Sequence, residues 1–430
     1  MRRNEDNFAE EVPDGWSVDR LKDVALLRSE RTDEGSEVED YLELEDIESG
    51  TGRILNRRNT MEVISDVTRF YQGDVLFGKL RPYLEKYYLA EFDGKCTGEI
   101  LAFKPERIAG RFLFYCFASS WFIERCNMLA YGAKMPRVNW PTQLAQFNLP
   151  LPPLHEQERI AVYLDASCAT LDAAVAAKRR QLETLDTLRR SLVESAVTFG
   201  IRPNPALRRI GEDWIGEIPA HWDACRIKRV LSRVDYGISE STEEEGRFPV
   251  LKMGHIQDGE IDFSGLDYVD DVSDELLLEK GDLLYNRTNS PDQVGKAAVF
   301  RGGQVGQVTF ASYLVRLRTN HRSDPYFLNY LLNCSGFLAF ARKLAIPSVQ
   351  QSNLNSTRYC RMLIPLPPLP EQRQIAEFLD KKTGELERVV RGIERQIDTL
   401  KAYRKSLIQE CVTGQRRVTD RDLKVIQTHG

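Results

Sequence analysis

Short apolar runs closed by glycine turns fill the first part of the chain, a long amphipathic stretch without a breaker follows, and then the same order recurs. Gly73-Asp74-Val75-Leu76-Phe77 predicts a buried strand entered through a Gly-Asp turn, and Gly281-Asp282-Leu283-Leu284-Tyr285 predicts its counterpart. Ile100-Leu101-Ala102-Phe103-Lys104 and Leu314-Val315-Arg316-Leu317-Arg318 read as a later strand of the same sheet. Leu42-Glu43-Leu44 with Ile47 and Gly50, against Leu251-Lys252-Met253 with Ile256 and Gly259, read as strand-like runs closed by a turn. One helix is expected next in each copy, carrying Phe112, Leu113, Tyr115 and Phe122 in the first and Phe327, Leu328, Tyr330 and Phe337 in the second.

Each copy then repeats Pro-Leu-Pro-Pro-Leu-x-Glu-Gln, with Pro152, Pro153, Glu156 and Gln157 in the first and Pro367, Pro368, Glu371 and Gln372 in the second. The stretches behind them, 154–198 and 369–413, carry no proline past the first turn and predict helices of about 45 residues, roughly 65 to 70 Å long. Leu386, Val390, Ile393, Ile397, Leu400 and Leu407 alternate steps of four and three, the seam of a coiled coil, and Leu171, Val175, Leu182, Leu185 and Leu192 match it. Lys178 stands where the second copy has Ile393, and Arg189 matches Arg404; these basic seam positions are expected to snorkel to solvent. A whole globular module separates the helices, so an antiparallel pair with the modules at opposite ends is the expected arrangement. Pro13 to Trp16 matches Pro219 to Trp222, and the offset between copies grows from 206 there to 215 at the proline motif. The insertions fall in loops, so one scaffold is expected to present two different surfaces.

Composition narrows the class. With 430 residues, 42% hydrophobic and 29% charged, the chain reads as a multidomain globular protein. No apolar run is expected to reach the roughly 20 residues of a membrane span, and the polar start is unlike a signal peptide, which points to a cytoplasmic protein with no membrane partner. The eight cysteines show no C-x-x-C pair, so packing thiols are expected rather than a metal site. A net charge of -5 argues against indiscriminate coating of nucleic acid but leaves room for local basic faces.

The duplicated order of module, proline-Glu-Gln motif and long helix, with the Arg-x-Ser-Leu helix endings at Arg189 to Leu192 and Arg404 to Leu407, resembles the specificity subunit of type I restriction-modification enzymes. The resemblance spans essentially the whole chain. It implies an α+β fold in which two pseudo-twofold-related α/β target recognition domains are separated by an antiparallel coiled coil of two long helices. The expected division is 1–149, first recognition domain; 150–199, first helix; 200–217, linker; 218–364, second recognition domain; 365–414, second helix; and 415–430, tail. It further implies a noncatalytic chain that recognises a bipartite asymmetric site on double-stranded DNA. Two methyltransferase subunits and restriction/translocase subunits would be its partners. S-adenosylmethionine, ATP and Mg2+ would sit on those partners, with no cofactor and no metal on this chain.

Base readout requires side chains that reach base edges, and Arg or Lys suits guanine while Asn or Gln suits adenine. Lys79 and Arg81 in the first module, and Asn286 and Arg287 in the second, follow the Gly-Asp strand. Lys134 and Arg137, and Gln350, Gln351 and Asn353, precede the long helix in equivalent places. Each also fits an ordinary solvated side chain. Glu156-Gln157 and Glu371-Gln372 read as first-turn helix caps, with a role near the partner surface implied by the family. Asp324-Pro325-Tyr326-Phe327 is similar to the Asp-Pro-Pro-Tyr motif of amino-methyltransferases but lacks its second proline, and a helix cap explains it. His155, His221, His255 and His321 show no Cys or acid partner for catalysis. A coiled-coil adaptor whose two modules bind proteins is the competing reading, and an enzyme in its own right the third. Selective, salt-dependent binding to a split site separates the first reading from the adaptor, and methyl transfer by the lone chain would identify an enzyme.

Overall fold

Alternation along the strands decides the centre of each half of the molecule. The computed structural model describes residues 12–30, 40–59, 67–212, 214–303, 306–348 and 351–429. It divides into two units, Met1–Arg179 with Glu394–Gly430, and Arg180–Ile393. In the first unit an antiparallel sheet runs in the order Ala25–Leu27, Ile100–Pro105, Val75–Gly78, Tyr87–Leu89. Val75, Phe77 and Phe103 point into one apolar cluster, and Leu76, Ala102 and Ile100 into another on the opposite face. A second sheet, Arg58–Asn59, Asp40–Leu42, Gly94–Thr97, Val67–Phe70, completes the unit.

The second unit repeats this plan. Its sheet order is Leu231–Tyr236, Leu314–Thr319, Leu283–Asn286, Ala297–Val299, with Leu283, Tyr285 and Leu317 on one face and Leu284 on the other. In both units the strand that runs into the proline motif pairs with the strand that opens the module, Ser17 opposite Leu151 and Asp223 opposite Leu366. The Gly-Asp turn is also built alike: Asp74 accepts from the Tyr71 amide at 2.9 Å and Asp282 from the Glu279 amide at 2.8 Å. Each aspartate then takes a two-pronged arginine, Arg28 in one unit and Arg318 in the other.

Three local expectations change. Leu44 and Met253 lie in single 3-10 turns, Leu44–Asp46 and Met253–His255, because the chain must bend there to seat Asp46 and His255 in the interior. The single helix expected after the sheet is two, Gly110–Ala118 with Ser120–Leu129, and Pro325–Asn333 with Ser335–Leu344. Ser119 and Cys334 break them in extended conformation, and the Ser119 hydroxyl caps the next helix through the Phe122 amide. The stretch expected as a linker contains the hairpin Leu207–Glu212 and Ile215–Pro219, anchored by the Trp214 indole donating to the Leu363 carbonyl at 3.2 Å.

The long helices run Leu154–Phe199 and Leu369–Val412. In the first unit Ile160, Leu164 and Cys168 from the first share a core with Leu407, Ile408 and Cys411 from the second, and Asp172 pairs with Arg404 at 3.3 Å. Numbers rise along one helix as they fall along the other, so the two are antiparallel. In the second unit Leu192, Val193, Ala196 and Val197 pack with Ile375, Ala376 and Leu379 in the same sense. Along the seam Ile393, Ile397 and Leu407 are buried, whereas Leu171, Val175, Leu182, Leu185, Leu192, Leu386, Val390 and Leu400 are half-buried.

Arg404 does not snorkel. Its guanidinium is 12% exposed, donates to the Gly50 carbonyl at 3.0 Å and pairs with Asp172, so it sits between module and helix. The tail is docked as well: Val418 is buried in the first unit's core, Arg417 donates to the Asp14 carbonyl at 2.7 Å, and Asp420–His429 is a further helix. All eight cysteines are buried and unpaired, and burial pushes the Cys168 thiol up to about 11 and the Cys411 thiol up to about 12.

One helix, Leu154–Phe199, is long and apolar enough to cross a membrane by length and composition, contrary to the expectation from sequence. Its apolar stretch, 160–177, holds two acids, and both are engaged within the protein: Asp165 with Arg111 and Tyr115 of the module, and Asp172 with Arg53 of the module and Arg404 of the second long helix. Packing on a protein surface accounts for that composition.

Candidate nucleic-acid interface

In each unit the central strand after the Gly-Asp turn runs out of the sheet and pairs with a ribbon from just before the proline motif. The Val138 amide donates to the Lys79 carbonyl at 3.1 Å, and the Leu354 amide to the Arg287 carbonyl at 2.8 Å, so Lys79 and Arg287 occupy equivalent positions. Leu80 bridges to Arg137 in the first unit, as Thr288 pairs with Asn353 in the second. The first ribbon folds back where Tyr131 meets Arg137, and the second where Ile346–Ser348 meets Gln351–Asn353. Candidate groups more than fifty residues apart in sequence therefore form one patch per unit.

The two patches differ in chemistry. In the first, Arg81 adopts a left-handed backbone conformation (φ 50°), which turns the chain so that its guanidinium reaches the Lys134 carbonyl at 3.2 Å. Lys79, Arg81 and Lys134 make no ion pair among the described residues, whereas Arg137 is held by Glu99 at 3.1 Å and is committed within the fold. In the second, Arg287 lies over the Tyr236 ring at 5.1 Å, and the Asn353 amide donates to the Thr288 hydroxyl at 2.8 Å. Gln351 is half-buried in the ribbon, and Gln350 lies outside the described residues.

Asn286 is not on this surface. It is fully buried with neither amide atom paired among the described residues, at the position where the first module has Gly78. The last residue of an inward-facing strand, it points to the interior as the alternation requires, and the next residue turns outward.

The proline-Glu-Gln motif works as a clamp more than as a cap of its own helix. Gln157 accepts from the Ala109 amide at 2.7 Å, at the start of the module helix, and donates to the Pro152 carbonyl at 2.8 Å. Gln372 repeats both contacts, with the Asp324 amide at 2.8 Å and the Pro367 carbonyl at 2.8 Å. Pro153 and Pro368 accept from the Glu156 and Glu371 amides, both at 2.8 Å, closing the first turn of each long helix. Glu371 also meets His221 at 2.9 Å, so this histidine has the acid partner that sequence failed to show, in a joint that ties the module's start to the helix. Glu156 takes Arg417 from the tail at 3.6 Å instead.

A model of the type I restriction modification DNA specificity domain matches residues 13–184 and again 227–397. The chain belongs to this family. Among curated relatives, the specificity subunit similar to it in the MjaVIII enzyme of Methanocaldococcus jannaschii is 24% identical, covering 96% of this chain and 97% of the relative. The putative MjaX specificity subunit of the same organism is 29% identical over 46% of this chain, which spans about half of that relative at 47%. The EcoKI specificity subunit of Escherichia coli is 23% identical over 73% of this chain and 67% of its own. Two solved structures share the fold. One is a chain of a type I R-M system described for its complex assembly and conformational transition, with TM-score 0.75, 21% identity, and 94% and 98% coverage. The other is the HsdS subunit from Thermoanaerobacter tengcongensis, with TM-score 0.54, 22% identity and the same coverage.

The chain thus carries two copies of the family's domain, and the sequence missed part of what each presents. Asn289, next to Ser352 across the second ribbon, and the exposed rings of Tyr83, Tyr131, Tyr236 and Tyr313 belong to the patches. Only pairing between distant segments reveals them. Tyrosines scattered through loops give no periodic signal.

Proposed function

We propose that the two ribbons read the two halves of a bipartite, asymmetric site on double-stranded DNA. The long helices then scaffold two methyltransferase subunits and, through them, the restriction/translocase subunits. S-adenosylmethionine, ATP and Mg2+ act on those partners, and this chain supplies recognition. The observation that carries the reading is the pair of ribbons, equivalent in backbone and different in side chains. Lysine and arginine line the first, whereas arginine with Asn and Gln lines the second. A two-stranded ribbon fits the major groove, where such side chains discriminate bases. Two short, individually weak half-sites on one scaffold gain from effective concentration.

The test uses the complex with its methyltransferase and a duplex carrying the motif mapped from the methylated adenines of the host genome. Lys79→Ala with Arg81→Ala should relax discrimination in one half-site only, and Arg287→Ala in the other, each by about 1–3 kcal/mol. Equal weakening on all sequences would make these residues phosphate contacts. Indifference of the whole complex to sequence would sink the reading and favour a protein-binding adaptor.

A further inference from the structure

The first ribbon carries an apolar cluster for which base reading by lysine and arginine has no use. Tyr131 is 62% exposed and Met135 45%, on the ribbon itself. Met128, at 70%, and Leu129, at 39%, end the adjoining helix Ser120–Leu129, and Tyr83, at 52%, lies in the turn Pro82–Leu84 on which that helix packs. These five large side chains share one edge with Lys79, Arg81 and Lys134, and neither tyrosine hydroxyl makes a hydrogen bond among the described residues. The matching edge of the second unit exposes less: the Tyr236 hydroxyl meets Ser356 at 2.8 Å and its face carries Arg287, which leaves Tyr313 and Ile346, at 47% and 48%.

Resting on the DNA-reading function above, we propose that Tyr131 and Met135 form a wedge that enters the base stack of the first half-site and unstacks one step. Large apolar groups left in water mark a binding surface. Cations without acid partners on the same edge select a polyanion, whose largest apolar faces are those of its stacked bases. Ring and thioether can replace the lost stacking contacts without reading sequence, while Lys79 and Arg81 read the bases beside the opened step and Lys134 holds a flanking phosphate. The second half-site would be read on stacked DNA.

The experiment uses the assembled methyltransferase complex and duplexes with 2-aminopurine placed in turn at each position of the mapped motif. Wild type should raise fluorescence at one step of the half-site that depends on Lys79 and Arg81, and at none in the other. Tyr131→Ala with Met135→Ala should abolish the rise and weaken binding about 10-fold. A mismatch at that step, which removes most of the unstacking cost, should recover most of the loss. An unchanged fluorescence rise in the double variant overturns the wedge, as does an equal loss on matched and mismatched DNA. Loss of the methyltransferase subunits on gel filtration also overturns it and makes the edge a protein contact. The lysine and arginine substitutions separate the two ideas: altered half-site discrimination with a silent wedge variant removes the wedge alone, and no effect from either removes DNA reading by this ribbon.

Discussion

The joint between helix and module is made twice, with nearly the same sequence, and closes only once. Several contacts recur: the Tyr115 hydroxyl donates to Asp165 at 2.8 Å and that of Tyr330 to Asp380 at 2.7 Å. The Trp121 amide donates to Gln409 at 3.1 Å and the Gly336 amide to Glu194 at 3.1 Å. Yet Arg404 bridges the Gly50 carbonyl and Asp172, while its counterpart Arg189 makes no hydrogen bond or ion pair among the described residues and lines an open cleft of about 830 Å³. The acceptor has changed hands. In the first unit the Gly50 carbonyl takes the Tyr87 hydroxyl at 2.6 Å together with Arg404; in the second the Gly259 carbonyl takes Asn329 at 2.9 Å, and Ala297 fills the strand position of Tyr87. A repeat can thus keep an arginine and lose its purpose when the ring that walled in its acceptor is replaced by a methyl group.

The largest test of this contrast removes the two arginines separately. Arg404→Ala leaves a buried carbonyl and Asp172 short of a donor and should destabilise the first unit by about 3 kcal/mol. Arg189→Ala should stay within about 0.5 kcal/mol, as for a surface substitution. Calorimetric unfolding that resolves the first unit from the second would measure both. An equal cost at the two positions would show the second joint to be closed in solution and would end the comparison.

A smaller effect lies at the helix ends. Gly414 (φ 78°) and Gly200 (φ 80°) end the second and first long helices in left-handed conformation. A Cβ at Gly414 would collide with the Pro13 ring, whereas one at Gly200 meets the Trp222 ring at 3.0 Å. Both alanine variants incur backbone strain of about 1 kcal/mol. Gly414→Ala should lose about 1–2 kcal/mol more, because overpacking adds to strain where a rigid ring cannot yield. Thermal unfolding of the two variants, compared with wild type, decides it. The reverse order would mean that the tail leaves Pro13 easily.

Sequence carried much of the architecture because it lives in local pattern. The strands at Val75 and Leu283, both long helices, and the seam through Ile393 and Leu407 all follow from periodicity and turn residues. The breaks at Ser119 and Cys334 were illegible, since neither residue is a strong breaker and the helices resume one residue later. The candidate patches were half legible: Lys79, Arg81 and Arg287 follow from their place after the strand. Asn286 failed because a strand's last inward position cannot be told from its first outward one without the pairing partner. Gln157 and Gln372 were visible as a motif, but their job depends on Ala109 and Asp324, forty-eight residues upstream in each copy.

The finest contrast is at those two upstream positions. Asp324 caps the helix Pro325–Asn333 by accepting from the Tyr326 and Phe327 amides, both at 3.0 Å, while Ala109 begins the equivalent helix Gly110–Ala118 with no side-chain cap. Their backbones match, at φ -84°, ψ 126° and φ -66°, ψ 131°, so an aspartate in place of Ala109 would meet the same two amides without strain. Asp324→Ala should cost about 1 kcal/mol, and Ala109→Asp should gain about 0.5–1 kcal/mol, the acid also favouring the positive helix end. The gain ought to vanish below about pH 4, where the carboxyl is protonated, so stability measured at pH 7 and pH 3 separates capping from any change in packing. A gain that persists at pH 3 would mean that the introduced side chain packs rather than caps, and that the two module helices start differently despite their matching backbones.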